Sequence, residues 1–181
     1  MTTHVAVLMG GWAAERPVSL WSGEACARAL ESVGYRVTKV DVGRDIADVL
    51  ARLKPDVAFN ALHGKGGEDG TIQGVLAVLR IPYTHSGVMA WALAAQKDVA
   101  KVVMAAAGVP VPAGRTISRF EAARAHALPA PYVLKPVAEG SSFGVFIIKE
   151  GRSHPPQELT SPDWTYGDMM LAEKFVDGRE L

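Results

Sequence analysis

The sequence has little of what marks several common classes of protein. Cys26 is its only cysteine, so no intrachain disulfide can form, and its place in an amphipathic helical pattern favours a buried apolar role. Lysine plus arginine and aspartate plus glutamate both number 19, so no net charge attracts nucleic acid or a membrane surface. No apolar run is long enough to span a bilayer, and the first residues lack the pattern of a signal peptide. We therefore expect a cytoplasmic protein without nucleic-acid or membrane partners.

The two commonest nucleotide-binding loops are also missing. Lys65 follows Gly64 as in a P-loop, but Gly66 replaces the hydroxyl residue and Phe59 stands where the first glycine belongs. A dinucleotide fingerprint that began at Gly10 would need glycine at two further positions, and tryptophan and glutamate occupy them. These absences exclude a P-loop enzyme and a Rossmann dehydrogenase of the usual pattern.

Strand and helix patterns alternate through the first half of the chain. Apolar runs predict three strands and a short fourth strand or turn, at 5–8, 36–41, 57–62 and 81–84. Helical periodicity predicts helices that begin at Ser19 and Asp45, and another over 72–79. This order predicts an α/β domain with a parallel sheet and helices on its faces.

The pattern changes after Gly87. Residues 88–107 are rich in alanine and valine and predict one helix, which carries Lys97 and Lys101 one turn apart. Ser118 and Glu121 form a capping box, and strands are predicted at 132–135, 145–148 and 169–174. We place a domain boundary near residues 88–96, which gives one domain over 1–92 and an α+β domain over 93–181.

The most informative segment is the loop His63–Gly70, which contains four glycines where a predicted strand leads into a helix. Open α/β sheets bind ligands at the carboxyl ends of their strands. His63 fits either a structural histidine or a proton carrier beside a substrate. Glu68 and Asp69 fit metal ligands, but acids at a helix start also favour the helix dipole, and we prefer that interpretation.

Three further segments have both a structural and a functional interpretation. Glu15, after the first strand, fits either a solvated pair with Arg16 or a carboxylate that recognises a substrate ammonium group. The segment Glu139–Gly144 fits a flexible hairpin turn or a loop that covers phosphates, with Lys135 on the strand leading into it. The segment Glu173–Glu180 fits a strand end or an edge that presents backbone groups to adenine and an acid to ribose.

Taken in order, these segments resemble the D-alanine–D-alanine ligases of the ATP-grasp superfamily. Four blocks in register carry the resemblance: Glu15-Arg16 with Val18-Ser19, His63–Gly74, Ser86–Ala90 and Glu139–Ser142. The resemblance implies a pre-ATP-grasp α/β domain followed by an incomplete ATP-grasp lid domain. It also implies ATP-dependent joining of two D-alanines through an acyl phosphate, for peptidoglycan and the bacterial cell wall.

The resemblance also implies roles for individual residues. Glu15 would bind the ammonium group of the first D-alanine and connect through hydrogen bonds to Ser141, and His63 would lie near the reacting carboxylate. The remaining implied ATP contacts are the phosphate group Lys97, Lys135, Ser141, Ser142, Phe143 and Gly144, and the adenine and ribose group Glu173, Lys174, Phe175, Val176 and Glu180.

Members of this family are longer than 181 residues. The resemblance implies that the ligands of Mg²⁺ or Mn²⁺ follow Leu181, so this chain has no metal ligand of its own and is expected to be inactive alone. The family is commonly a homodimer through its first domain. A D-alanine–D-lactate ligase and an inactive nucleotide-binding fragment are alternatives that the sequence leaves open.

Overall fold

The computed structural model describes residues 2–179, which form two compact units that divide between Ala94 and Ala95. The first unit holds β1 (His4–Gly10), α1 (Arg16–Ser32), β2 (Arg36–Val42), α2 (Ile46–Leu53), β3 (Val57–Asn60) and α3 (Thr71–Val78). After them come α4 (Val88–Ala95), α5 (Lys97–Ala106), β4 (Gly114–Ser118), α6 (Arg119–Arg124), β5 (Tyr132–Pro136), β6 (Phe146–Ile148) and β7 (Met169–Lys174). No helix within 2–179 has the length and apolar character that a membrane crossing needs.

The first unit is built on a parallel sheet in the order β2-β1-β3. The central strand β1 is buried along its whole length, which explains its nearly continuous apolar sequence. One core cluster joins α2 and α3 to the sheet through Leu50 and Leu76, and another joins α1 to it through Ala27. With both faces covered in this way, the open side of the sheet is at the strand ends, where β1 and β3 lead into glycine-containing loops.

The second unit contains an antiparallel sheet in the order β4-β7-β5-β6. Its core includes Tyr132 and Leu134 of β5 and Met170 of β7, together with Leu159 from a 3₁₀ turn at Gln157–Thr160. Residues 137–145 connect β5 to β6, and residues 149–168 connect β6 to β7. The sequence-based α/β and α+β assignments are therefore confirmed at the level of fold class.

The structure corrects three local predictions. Ser19 does not cap α1, because the helix begins at Arg16 and Ser19 lies one turn inside it. The single helix predicted over 88–107 is two helices, since the backbone at Gln96 is extended. Strand β4 was not predicted, and residues 81–84, predicted as a short strand or turn, contain an isolated bridge between Tyr83 and Ala58.

Candidate functional site

The loop that follows β3 is organised by its own acidic side chains. Glu68 accepts a hydrogen bond from the backbone N–H of Gly64 at 2.8 Å, and Asp69 accepts from Gly66 at 2.8 Å and Thr71 at 3.0 Å. Although burial acts to raise it, these backbone hydrogen bonds hold the pKa of Asp69 below its usual value. Both carboxylates therefore act as structural acceptors, which agrees with the structural interpretation of this acidic pair.

Two buried amides fix the other side of the same loop. Asn60 at the end of β3 and Gln73 in α3 both donate to the carbonyl of Gly67, at 3.1 and 2.7 Å. Asn60 also accepts from the N–H of Leu62 at 3.1 Å. The loop thus has a defined shape that depends on side chains before and after it.

His63 lies between a hydroxyl and a carboxylate. Its Nε2 is 3.3 Å from Oγ of Ser22, and its Nδ1 is 3.6 Å from Oε1 of Glu68. The ring lines a cavity of about 190 Å³, and Cys26 and Trp91 line it too. Cys26 is only partly buried, so the prediction that it fills a core position is wrong.

Glu15 stands directly before α1 and is 9% exposed. It does not form a solvated pair with Arg16, because Arg16 binds both carboxylate oxygens of Asp41 at 2.6 and 2.7 Å. The Glu15 carboxylate packs against Gly64, where an added Cβ would lie 2.5 Å from Oε2. The structure therefore places Glu15 against the His63–Gly70 loop.

Ser19 is a structural residue that the sequence interpretation missed. Its hydroxyl donates to the carbonyl of Ala61 at 2.8 Å and accepts from the N–H of Gly10 at 2.9 Å. It therefore joins the ends of β1 and β3 inside the protein. A serine near the start of a helix is also typical of a cap, so the sequence pattern could not distinguish this buried role from capping.

In the second unit, two lysines bind one buried carboxylate, and a third lysine lies close to them. Glu173 in β7, which is 8% exposed, accepts from Lys101 at 2.7 Å and forms an ion pair with Lys135 of β5. Lys97 donates to the backbone carbonyls of Val137 and Glu139, so it lies at the base of the loop after β5. Lys101, which the sequence placed one helical turn from Lys97, is the member of this group to which the sequence analysis gave no role.

The charges of this lysine group do not balance. Burial lowers the pKa of Lys97, and the positive charge of Lys135 lowers it further. Although burial acts to raise it, hydrogen bonds from Lys101 and Lys135 hold the pKa of Glu173 below its usual value. Glu173, which Lys101 and Lys135 bind directly, and Glu139 act to raise the pKa of Lys97, so three lysines stand against two acids in this group.

The loop Ser141–Gly144 has an unusual backbone. Ser141, Ser142 and Gly144 have φ values of 50°, 61° and 66°, in the left-handed region. Phe143 donates to the carbonyl of Gly140 at 3.0 Å. Val137 and Glu139, whose carbonyls accept hydrogen bonds from Lys97, come shortly before this loop in the chain. The loop therefore begins close to the contacts of the lysine group.

The remaining predicted ATP contacts lie at and after the end of β7. Lys174 ends the strand and is exposed, Phe175 donates its N–H to the carbonyl of Pro131 at 3.2 Å, and Val176 is exposed. Glu180 lies outside the described residues. The predicted connection between Glu15 and Ser141 joins residues of different units and stays a prediction.

No cluster of three histidine, cysteine or acidic side chains suited to a metal ion occurs within residues 2–179. The two adjacent acids of the glycine loop already bind backbone N–H groups. The described residues therefore do not fit a resident divalent cation.

Comparison with known proteins shows that this chain is similar to D-alanine–D-alanine ligases. A family model described as the D-ala D-ala ligase N-terminus matches residues 46–86. The D-alanine–D-alanine ligases of Xanthobacter autotrophicus and Azorhizobium caulinodans are 66% and 67% identical over all 181 residues, which span 59% of each relative's length.

Solved structures agree. A D-alanine–D-alanine ligase from Bacillus anthracis superposes with a TM-score of 0.79 at 28% identity, over 98% of this chain and 59% of that one. The same enzyme complexed with ATP superposes with a TM-score of 0.79 at 27% identity, over 60% of its length. The chain therefore spans about three fifths of the length of the relatives it matches.

Proposed function

We propose that this chain, which is similar to D-alanine–D-alanine ligases along its whole length, takes part in the ATP-dependent joining of two D-alanines. The dipeptide would serve peptidoglycan synthesis in the bacterial cytoplasm. On this proposal, the first unit binds the first D-alanine, and the second unit binds the nucleotide. The close relatives by that name, at 63–67% identity, support it.

The observation that carries the nucleotide-binding part is the surplus of positive charge in the second unit. Lys101 and Lys135 bind the carboxylate of Glu173, and burial disfavours the charged form of Lys97. The three lysines outnumber Glu173 and Glu139, the two acids whose charges act on Lys97. A phosphate chain would supply the missing negative charge and would recover the electrostatic cost of burying these ammonium groups. The neighbouring loop Ser141–Gly144 would add backbone N–H and hydroxyl donors, with Phe143 in the same loop.

The reaction has two steps. A carboxylate oxygen of the first D-alanine attacks the γ-phosphorus of ATP, which gives an acyl phosphate and ADP. The amine of the second D-alanine then attacks the acyl carbon, and the bond to phosphate breaks after a tetrahedral intermediate. The protein's main contribution is to position the reactants and to stabilise the developing charge.

In the first step, Glu15 would hold the ammonium group of the first D-alanine, and His63 would lie near its carboxylate. The support is that Glu15 is buried against the loop that also carries His63. Ser141 would complete the connection between amino acid and nucleotide. Glu173, Lys174, Phe175 and Val176 would contact adenine, chiefly through backbone groups at the end of β7, and Glu180 the ribose.

A divalent cation, Mg²⁺ or Mn²⁺, is expected for phosphoryl transfer in this family, but the described residues do not fit one. The metal ligands are expected outside residues 2–179, in keeping with relatives that are longer than this chain.

Substitutions in the two units should separate the two substrates. In a ligase of full family length that contains this chain, Glu15→Gln should raise the KM for D-alanine, and Lys135→Ala should raise the KM for ATP. ADP release that depends on D-alanine is the measurement, and Lys39→Ala, which breaks an exposed pair with Glu24, is the matched control. Wild-type protein that forms no ADP with D-alanine would refute the proposed reaction, and equal effects of both variants on both substrates would refute the division of roles.

The same assay addresses the two alternatives. Replacement of the second D-alanine by D-lactate would give a depsipeptide if the protein is a D-alanine–D-lactate ligase. The 181-residue chain tested alone should bind ATP without forming ADP if it acts only as a nucleotide-binding fragment.

We also propose a homodimer through the first unit. The support is a set of apolar side chains left exposed on its helices, Val78 of α3 at 83% and Met89 of α4 at 84%. Sedimentation equilibrium would test this, and Val78→Lys should reduce the measured mass to that of a monomer.

A further inference from the structure

The loop Ser141–Gly144 adopts a conformation that its own sequence does not favour. Serine at φ 50° and 61° is in the left-handed region, which costs roughly 1–2 kcal/mol per residue when glycine is absent. Two backbone hydrogen bonds within the turn oppose this cost, from Phe143 to Gly140 at 3.0 Å and from Val145 to Ser142 at 3.4 Å. Strained backbone persists only where its surroundings determine it, so the packing around the loop has to be considered.

Two aromatic side chains from the connection between β6 and β7 pack against this loop. Tyr166 stacks on Phe143 with ring centroids 6.1 Å apart and planes 14° apart, and Trp164 meets Tyr166 edge to face at 4.9 Å. We call Trp164 and Tyr166 the aromatic bracket. A Cβ added at Gly144 would lie 3.0 Å from each of these rings, so the loop backbone rests directly on them.

The bracket is itself fixed to the core of the second unit. The indole N–H of Trp164 donates to the carbonyl of Gly167 at 2.6 Å, and its ring stacks on Phe146 of β6 at 6.2 Å. Arg119 of α6 holds both sides of the segment, since it donates to the carbonyl of Leu159 at 2.6 Å and to the carboxylate of Asp168 at 2.8 Å. The bracket therefore has contacts of its own to residues outside the loop Ser141–Gly144.

From this geometry we propose that Trp164 and Tyr166 are positioning residues that hold the Ser141–Gly144 loop in the shape that binds the phosphates of ATP. This inference rests on the proposed function, because the ligand of the loop is assigned there. The bracket does not contact the nucleotide in this proposal. It acts through Phe143 and Gly144, and it reduces the ordering that ATP would otherwise have to impose on the loop.

The first test measures the loop in the 181-residue chain and does not depend on any activity. Tyr166→Ala should speed backbone hydrogen exchange in residues 140–145 by about fivefold, the scale of one aromatic pair. Tyr166→Phe should restore the wild-type rate, because stacking needs the ring and the structure shows no hydrogen bond from the Tyr166 hydroxyl within residues 2–179. Leu128→Ala, which truncates a side chain packed on the same unit's core, is the matched control for a general loss of stability.

The second test measures ATP use in a ligase of full family length that contains the chain. Tyr166→Ala should raise the KM for ATP by about fivefold, and leave the KM for D-alanine within about twofold. Tyr166→Phe should again restore the wild-type value, and Leu128→Ala should change neither KM.

The outcomes are distinguishable. Faster exchange at 140–145 and a higher KM for ATP, both specific to Tyr166→Ala, support the inference. Unchanged exchange, or exchange that Leu128→Ala accelerates equally, overturns it whatever the activity. Faster exchange with an unchanged KM for ATP also overturns it, since the loop would then be supported without any effect on phosphate binding. A wild-type enzyme that forms no ADP refutes the proposed function itself.

Discussion

Gly64 lies where the His63–Gly70 loop packs closely against the side chain of Glu15. Its φ of +65° lies in the left-handed region, and an added Cβ would lie 2.5 Å from Oε2 and 2.9 Å from Cδ of Glu15. The absence of a side chain is therefore what allows the carboxylate to lie against the loop. Glycine at this position has a conformational and a steric reason.

We predict that Gly64→Ala displaces the Glu15 carboxylate. In a full-length ligase the KM for D-alanine should rise about tenfold, which corresponds to about 1.4 kcal/mol, while the KM for ATP stays within about twofold. Gly34→Ala is the control, because Gly34 also has a positive φ, +91°, but an added Cβ would contact nothing within 4 Å. An equal rise in the KM for D-alanine in both variants would show that backbone strain alone, without contact to Glu15, is responsible.

Lys97 should carry an unusually reactive amine in the free chain. Burial and the nearby charge of Lys135 lower its pKa, so a larger neutral fraction is present at mildly alkaline pH. Between the lowered pKa and the usual value, the folded chain binds fewer protons than the unfolded chain, so this residue makes folding more favourable as pH rises through that window.

The measurement is acylation by acetic anhydride at a series of pH values, read by mass spectrometry of the Lys97 peptide. Half-maximal labelling should occur at lower pH than for lysine in a short unstructured peptide. ATP should slow the labelling because an anion favours the charged ammonium. A labelling profile that matches the unstructured peptide would refute the lowered pKa, and labelling that ATP does not slow would count against a phosphate site at Lys97.

At the scale of whole elements, α1 packs on β1 through Gly23, where no room is left for a side chain. A Cβ at Gly23 would lie 2.5 Å from Cβ and 2.6 Å from the sulfur of Met9. By contrast, Gly74 in α3 has no neighbour within 4 Å of the same position. Close packing on Met9 therefore explains the glycine at position 23, whereas no packing constraint requires the glycine at position 74.

This contrast predicts opposite effects of the same substitution. Gly23→Ala should destabilise the chain by about 1–3 kcal/mol through overpacking. Gly74→Ala should stabilise it by up to about 1 kcal/mol, because alanine has the higher helix propensity. Urea unfolding of both variants is the measurement, and stabilisation by Gly23→Ala would show that α1 moves away from β1 at no cost.

Secondary structure was predictable where local patterns agreed with tertiary packing. Periodicity located β1, α2 and β7, and the capping box at Ser118 and Glu121 is present as expected. Ser19 was misassigned because a serine near a helix start resembles a cap, whereas its partners, Gly10 and Ala61, are distant along the chain. Strand β4 was missed because its residues are mostly exposed, so its sequence lacks the alternation that marks a strand.

At the scale of the whole molecule, the sequence offered candidate site residues but not the residues that they contact. His63, Glu15, Lys97 and Lys135 were chosen from motifs, and all lie at strand ends, in loops or beside them. The partnership of Lys101 with Glu173 and the support of the Gly144 loop by Trp164 join residues 72 and 20 positions apart. No local pattern encodes such contacts, because they arise only when separate elements pack together.

Both units should lose stability in acid, through one carboxylate in each. The pKa of Glu173 and that of Asp69 are held below their usual values despite burial, by lysine partners in one unit and by backbone N–H groups in the other. A lowered pKa in the folded state means that the stabilisation is complete above the unfolded value and is lost as pH falls through the folded value. We therefore expect the free energy of unfolding to fall below about pH 4.5 for Glu173 and at somewhat lower pH for Asp69.

Hydrogen exchange resolved by peptide separates the two contributions as the pH is lowered from 7 to 3. Glu173→Gln should destabilise the second unit at pH 7 by about 1–3 kcal/mol, since Lys101 and Lys135 lose a charged acceptor. This difference from wild type should shrink as Glu173 is protonated, because the native carboxylate then loses its charge too. Glu150→Gln, an exposed acid of the same unit, should show no such convergence. A Glu173→Gln effect that stays constant down to pH 3 would mean that the carboxylate's charge does not stabilise this unit.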